Sequence, residues 1–304
     1  MTTPTVFRPG ATALITGAAS GIGLAAAHYC HREGMNVILL DIDATKLTAA
    51  AAELEQANPA SPKPHTFVLD VSKQEDWAQL QPTIHGLYPQ GIDLLMLNAG
   101  RLATPASDKK TPWHDPGYFE STFATNTFGY TNGLATFLDS VTGTDTATTT
   151  TENPPPSRAI ILTGSKQGIT NPPGNPAYNA SKSAVKTIAE HLAFDLHRSY
   201  PQVSVHLLVP GWVYTGMMRK YFATKPDGCW TPQETVEFLV RKMAAGSFYI
   251  ICPDNEVTEE LDRKRIAWAC GDLVRDRPAL SRWREDWKER AAKGIEGLDV
   301  GLLG

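Results

Sequence analysis

The sequence predicts an α/β protein: a doubly wound parallel sheet in a single domain, residues 1–254, followed by a helical C-terminal extension, residues 255–304. Three observations predict it. Seven short apolar runs recur along the chain, at 12–16, 36–41, 65–69, 93–97, 158–163, 203–209 and 247–252. Most are continuously apolar rather than alternating, as in parallel strands covered on both faces. Amphipathic stretches such as ATKLTAAAAELEQA and SAVKTIAEHLAFDLHRSY separate them, and strand–helix alternation of this kind winds right-handedly. At 304 residues, 42% hydrophobic and 20% charged, the chain can bury a substantial core without staples.

The first run, TALIT, leads into TGAASGIG and then a helical stretch. Gly17, Gly21 and Gly23 make a GxxxGxG turn between the two. Glycine there permits tight turning and lets backbone N–H groups approach a pyrophosphate at the positive end of a helix. Taken alone such a turn is equally a packed strand–helix corner; its context makes it a Rossmann-type dinucleotide cradle, with Ser20 and Ile22 in the same turn. The second run, NVILLD, ends on Asp41, 18 residues after Gly23. An acid at that place accepts hydrogen bonds from both hydroxyls of an adenosine ribose. It also repels a 2′-phosphate, and Ala18, Ala19 and Ser20 bring no compensating cation. NAD is therefore expected over NADP.

The third run precedes Asp70-Val71 and the fourth precedes Asn98-Ala99-Gly100. Two loop-rich stretches follow: one carries Trp113 and His114, and the other, TGTDTATTTTENPPPS (142–157), has little to bury and reads as a surface loop. The fifth run, RAIILT, places Ser165 at a strand's C-terminal end, where open α/β sheets bind ligands. Tyr178 and Lys182 stand four apart on the next helical stretch and share one face. A free tyrosine titrates at about 10, too high for a base at neutral pH. A neighbouring ammonium, with the positive ring of an oxidised nicotinamide, favours tyrosinate. Lowering that pKa to neutrality takes roughly 4 kcal/mol. The sixth run leads into PGWVYTGM (210–217). After the seventh, TEELDRKRIAWACGDLVRDRP and LSRWREDWKERAAKG look helical, are separated by Pro278, and are expected to pack on the domain or on a partner subunit.

TGAASGIG (16–23), Asp70-Val71, Asn98-Ala99-Gly100, Asn126 in ATNTFG, Ser165, Tyr178-x-x-x-Lys182 and PGWVYTGM occur in the order and approximate spacing of the short-chain dehydrogenase/reductase family. The sequence resembles that family over about residues 10–252. The resemblance implies an NAD-dependent oxidoreductase interconverting a secondary alcohol and a ketone. It implies that Tyr178 is the acid/base and that Ser165 orients the substrate oxygen against it. Lys182 would lower the phenol pKa and hold the nicotinamide ribose, and Asn126 would anchor a water linking Lys182 to solvent. Asp70 and Val71 would meet the adenine, and Asn98, Ala99 and Gly100 the adenosine ribose. Val213 and Thr215, after Pro210 and Gly211, would hold the nicotinamide carboxamide. Gln167, Trp212, Met217, Met218 and Tyr221 are candidate substrate-binding residues. Their aromatic and flexible apolar character suits a hydrophobic or ring-containing molecule as well as it suits a packed lid. Two other readings stand beside this one: an enzyme keeping the dinucleotide for epimerisation or dehydration without net redox, and a nucleotide-sensing protein without turnover. The long tail departs from members that end near the last strand. It favours a homodimer, through the helices carrying Tyr178 and following Thr231, over a homotetramer.

A formal charge of −4 with no basic run disfavours nucleic acid and anionic membranes as partners. No apolar run reaches membrane-spanning length. Cys30, Cys229, Cys252 and Cys270 are widely spaced without a metal-ligand pattern, so free thiols and no metal are expected. The opening MTTPTVFRPG lacks the features of a signal peptide, and a cytoplasmic protein is expected.

Overall fold

Where the chain reverses its direction of travel across a parallel sheet, a cleft opens, and the strand order here fixes that place. The computed structural model describes residues 6–106, 108–144, 156–219, 222–254 and 257–301. In chain order, β1 (Thr12–Thr16), α1 (Gly21–Arg32), β2 (Asn36–Asp41), α2 (Ala44–Ala57), β3 (His65–Val68), α3 (Gln74–Leu87) and β4 (Leu94–Leu97) build the first half. Then come α4 (Pro116–Phe123), a π-helical turn at Ala124–Phe128, α5 (Gly129–Thr142), β5 (Arg158–Thr163), α6 (Gln167–Thr170), α7 (Pro176–Ser199) and β6 (Val203–Val209). The chain continues through α8 (Gly216–Arg219), α9 (Pro232–Ala244), β7 (Tyr249–Ile251), α10 (Glu259–Val274) and α11 (Lys288–Glu296). The order β3-β2-β1-β4-β5-β6-β7 is parallel throughout, and the winding reverses between β1 and β4. Ligands of such sheets bind at that reversal, beyond the strands' C-terminal ends.

Two apolar layers hold the helices on. Ala13 and Ile15 of β1 face the layer built with α1, α2 and α9, while Leu14 faces the layer built with α3, α5 and α7. This is the two-residue period of a strand covered on both sides. β1, β4 and β5 are buried along their whole length. The edge strand β3 alternates instead, leaving Val68 60% exposed. Helix starts follow local chemistry. Asp43 caps α2 through the Lys46 N–H, and Thr231 and Glu234 form a reciprocal capping box on α9. Pro176 opens α7, where a missing N–H costs nothing. No described helix is long and apolar enough to cross a membrane, and no described group of three or more His, Cys, Asp or Glu could hold a metal ion.

The expected surface loop at 142–157 is described only at its ends. Thr142 completes α5, Gly143 ends it in the left-handed conformation, and residues 145–155 lie outside the described part. The tail forms its own small cluster, with Trp268 of α10 packed on Ala291 and Ile295 of α11.

Candidate active site

The cradle forms where β1 gives way to α1. Gly17 has φ +65°, a conformation that costs other L-residues energy. A side chain at Gly23 would run into the Gly17 carbonyl oxygen, so α1 can start this close to the turn only with glycine there. Across the groove, Thr215 lies so near Gly21 that an added Cβ would sit 3.0 Å from its Cγ2. The glycine turn and the segment after β6 are thereby brought face to face. Thr16 Oγ1 accepts from the N–H groups of Asn98, at 2.8 Å, and Ala99, at 3.0 Å. The Asn98 amide donates to Thr16 O at 3.2 Å, and its oxygen accepts from Thr163 Oγ1 at 3.1 Å. Asn98 thus stitches the ends of β1, β4 and β5, and its side chain is committed to that framework.

Asp41 is held in place by two backbone donors, Ala19 N–H to Oδ2 and Asp43 N–H to Oδ1, each at 3.1 Å. Its carboxylate therefore spans the glycine turn and the start of α2. Asp70 folds onto its own loop, accepting from Ser72 N–H at 3.0 Å and Ser72 Oγ at 2.7 Å. The backbone oxygen of Val71 accepts from Trp77 Nε1 and Asn132 Nδ2. The residues fit a dinucleotide: two left-handed glycines, the opening of a 12-residue helix, and a fixed carboxylate at the neighbouring strand end.

The candidate catalytic residues converge beside this groove. Ser165 follows β5 and is buried; its Oγ accepts the Gln167 N–H at 3.1 Å. Tyr178 and Lys182 occupy the first turns of α7, with Lys182 Nζ 6.0 Å from the centre of the Tyr178 ring. A Cβ at Gly100 would lie 3.6 Å from Lys182 Nζ and 3.5 Å from Asn126 Oδ1, which places the loop after β4 over both.

Three features bear on the sequence-based expectation. First, burial raises the Tyr178 phenol, and a hydrogen bond with Ser165 pulls only partly the other way, so lowering it falls to charge brought in with the nicotinamide. Second, Lys182 is not a fixed cation. Burial lowers its pKa to about 7, so near neutrality much of it is uncharged amine. Third, the fully buried Asn126 side chain is spent on protein. Its amide donates to Arg101 O at 3.0 Å and Ser181 Oγ at 3.2 Å, and its oxygen accepts Arg101 N–H at 2.8 Å. Any water that Asn126 anchors must meet its main chain, which sits in the π-helical turn.

The Gln167 Oε1 atom is buried without a partner. Trp212 is 46% exposed and tilted against Phe222, their ring centres 6.1 Å apart. Met217 and Met218 are half-buried on α8, and Tyr221 lies outside the described residues. Val213 is buried and bridges to Trp230. Trp113 is exposed and stacks on Phe119, and His114 is exposed beside it.

Sequence reasoning missed two groups. Lys166, directly after Ser165, pairs with Asp254 at 2.8 Å and with Asp262 of α10 at 2.6 Å. The other Asp254 oxygen accepts Trp212 N–H at 2.7 Å, behind Gly211. Trp283 of the tail donates to Thr170 O at 3.2 Å. The tail thus packs on the segment that follows Ser165. The second missed group is Tyr130 of α5, whose hydroxyl lies 3.2 Å from Lys182 Nζ.

A family profile described as short chain dehydrogenase matches residues 11–226. The chain is 39% identical over 98 residues to a Streptomyces sp. (strain C5) protein named as a daunorubicin C-13 ketoreductase, covering 32% of this chain and 33% of that one. It is 30% identical over 194 residues to the NADPH-dependent 1-acyldihydroxyacetone phosphate reductase of Saccharomyces cerevisiae, covering 62% and 57%. The matched part thus spans a third of one of these relatives and little more than half of the other. The solved structure of a short chain dehydrogenase/reductase from Burkholderia phymatum in complex with NAD superposes with a TM-score of 0.72 at 23% identity, over 88% of this chain and 96% of that one. That last likeness speaks for the fold.

Proposed function

Since the chain belongs to the short-chain dehydrogenase family, we propose that it is an NAD-dependent oxidoreductase interconverting a secondary alcohol and a ketone on a hydrophobic or ring-containing small molecule. The observation that carries this reading is the convergence of Ser165, Tyr178 and Lys182 beside Gly100 and the glycine cradle.

Gly17, Gly21 and Gly23, with the start of α1, would hold the pyrophosphate. Asp41 would hold the adenosine ribose and Thr215 the nicotinamide end. A bound nicotinamide supplies or takes up the redox equivalents. Ser165 donates to the substrate oxygen and fixes it against the Tyr178 hydroxyl. Tyr178 takes the alcohol proton in one direction and returns it in the other. Without cofactor the phenol resists ionisation and Lys182 is only partly charged, so Tyr178 stays protonated until oppositely acting charge enters the groove. Lys182 has a third N–H free of the two bonds it makes to protein, and that N–H is available for a ribose hydroxyl. Gln167 Oε1, buried and unpartnered, suits a donor on the substrate.

The choice of NAD rests on Asp41. Its fixed carboxylate repels a 2′-phosphate, and the Lys46 ammonium nearby is engaged by Asp43 at 2.6 Å. A fluorescence titration of the purified protein with NADH and NADPH tests it. NADH is expected to bind at least tenfold more tightly, about 1.4 kcal/mol, and Asp41→Ala to erase most of the difference. Tighter NADPH binding by the unaltered protein would sink the cofactor assignment.

The expected homodimer is best supported at α7. Its Phe194 is 80% exposed, and Phe128, just before α5 in the same helical layer, is 55% exposed. The helix after Thr231, α9, packs on the other face of the sheet, so one two-fold contact does not use both.

A further inference from the structure

Lys182 does not stand alone in the buried groove. Its Nζ donates to the Thr163 carbonyl oxygen at 2.8 Å and to the Tyr130 hydroxyl at 3.2 Å. The Tyr130 hydroxyl in turn donates to that same carbonyl at 3.0 Å. Amine, phenol and carbonyl close a triangle. Because the Tyr130 proton is committed to Thr163, the oxygen's lone pairs are what it offers to Nζ. The ring presents its face as well, with Nζ 5.1 Å from its centre.

We propose that Tyr130 is a positioning residue for Lys182: its hydroxyl and the carbonyl it shares aim the amine, leaving the remaining N–H directed to the cofactor. The proposal rests on the reading of Lys182 as ribose anchor and neighbour of the acid/base.

The surroundings make this hydroxyl count. Tyr178 faces Lys182 from α7, Tyr130 from α5, and the Gly100 backbone from the loop after β4; Arg101 on that loop is exposed. No carboxylate among the described residues bears on Lys182, whose shift has burial as its cause. An ammonium buried without a counter-charge depends on each neutral acceptor it has. Tyr130 is itself 1% exposed, and burial together with Tyr178 keeps it far from ionising. It therefore stays a neutral acceptor over the whole range in which Lys182 titrates.

The test is a double-mutant cycle of Tyr130→Phe and Lys182→Met, read by thermal unfolding without cofactor and by NADH fluorescence. Phenylalanine keeps the ring and removes only the hydroxyl. Near pH 6, where Lys182 is charged, Tyr130→Phe is expected to lower the midpoint by about 3 °C, and near pH 9 by about half as much. In the Lys182→Met background the loss should no longer depend on pH. The dissociation constant for NADH should rise roughly three- to tenfold where Lys182 is kept, and hardly at all in the Lys182→Met background. A loss of stability that is equal at both pH values and in both backgrounds would overturn the proposal, as would equal weakening of NADH binding in both. The unfolding arm uses neither cofactor nor substrate, so it can fail while the oxidoreductase reading stands, and the reverse.

Discussion

At the scale of single residues, the candidate site is a tyrosine and a lysine whose burial works against the charges they need. Replacing Tyr178 by Phe removes the hydroxyl placed to exchange the substrate proton. Turnover of any accepted alcohol is expected to fall by roughly 10² to 10⁴, with NADH binding retained; turnover that survives would move the acid/base role elsewhere. Lys182 leaves a mark on stability that needs no substrate. Its folded pKa of about 7 lies below its ordinary 10.5, so between those values the unfolded chain binds more protons than the folded one. The penalty of a buried charge is fully present below pH 7 and is relieved as pH rises through that window, by at most about 1.4 kcal/mol per unit. Chemical denaturation from pH 7 to pH 10 should show that rise relative to Lys182→Met, and parallel curves would refute it. Tyr178 and Lys182 were legible because four residues on a helix fix a shared face. Tyr130 was not, since it reaches Lys182 across 52 positions of sequence and reads locally as one more core aromatic. The Asn126 side chain was legible as important but not as framework, because its partners are the Arg101 backbone and Ser181.

At the scale of elements, the strands were readable because most are short apolar runs buried between helices, with the edge strands β3 and β7 only partly covered, and all seven fall within a residue or two of their expected places. The glycine turn was readable because strand, turn and helix are contiguous. The function of α10 was not, since a stretch that merely looks helical does not say where it packs. The structure gives it a specific attachment: Asp262, 2% exposed, is tied to Lys166 beside Ser165, and Asp254 from the same cluster holds Trp212. Asp262→Asn leaves Lys166 with Asp254, so the cost should be moderate, about 2 kcal/mol in denaturant unfolding. The sharper sign is local. Limited proteolysis should cut earlier between β7 and α10, and the Michaelis constant for an accepted substrate should rise more than turnover falls. A variant with unchanged proteolysis and kinetics would show that α10 holds on through its other contacts.

For the whole molecule, the reversal between β1 and β4 gathers residues from both halves of the chain into one groove, and the outer face of α7 is left with Phe194 exposed. Sedimentation of the wild type is expected to show a dimer, and Phe194→Glu a shift towards monomer by desolvating a charge at the contact; a monomeric wild type would remove α7 as the interface. Lys166 carries a further consequence for how the chain is made. Synthesis runs from the N-terminus, so the ammonium beside Ser165 leaves the ribosome well before either of its carboxylates, Asp254 or Asp262. Until α10 emerges, the nascent domain can close its sheet only around a cation lacking part of its compensation. A chain synthesised only as far as β7 is therefore expected to leave the Lys166 ammonium without its α10 carboxylate, and faster proteolysis of such a truncated chain beside Ser165 would show it.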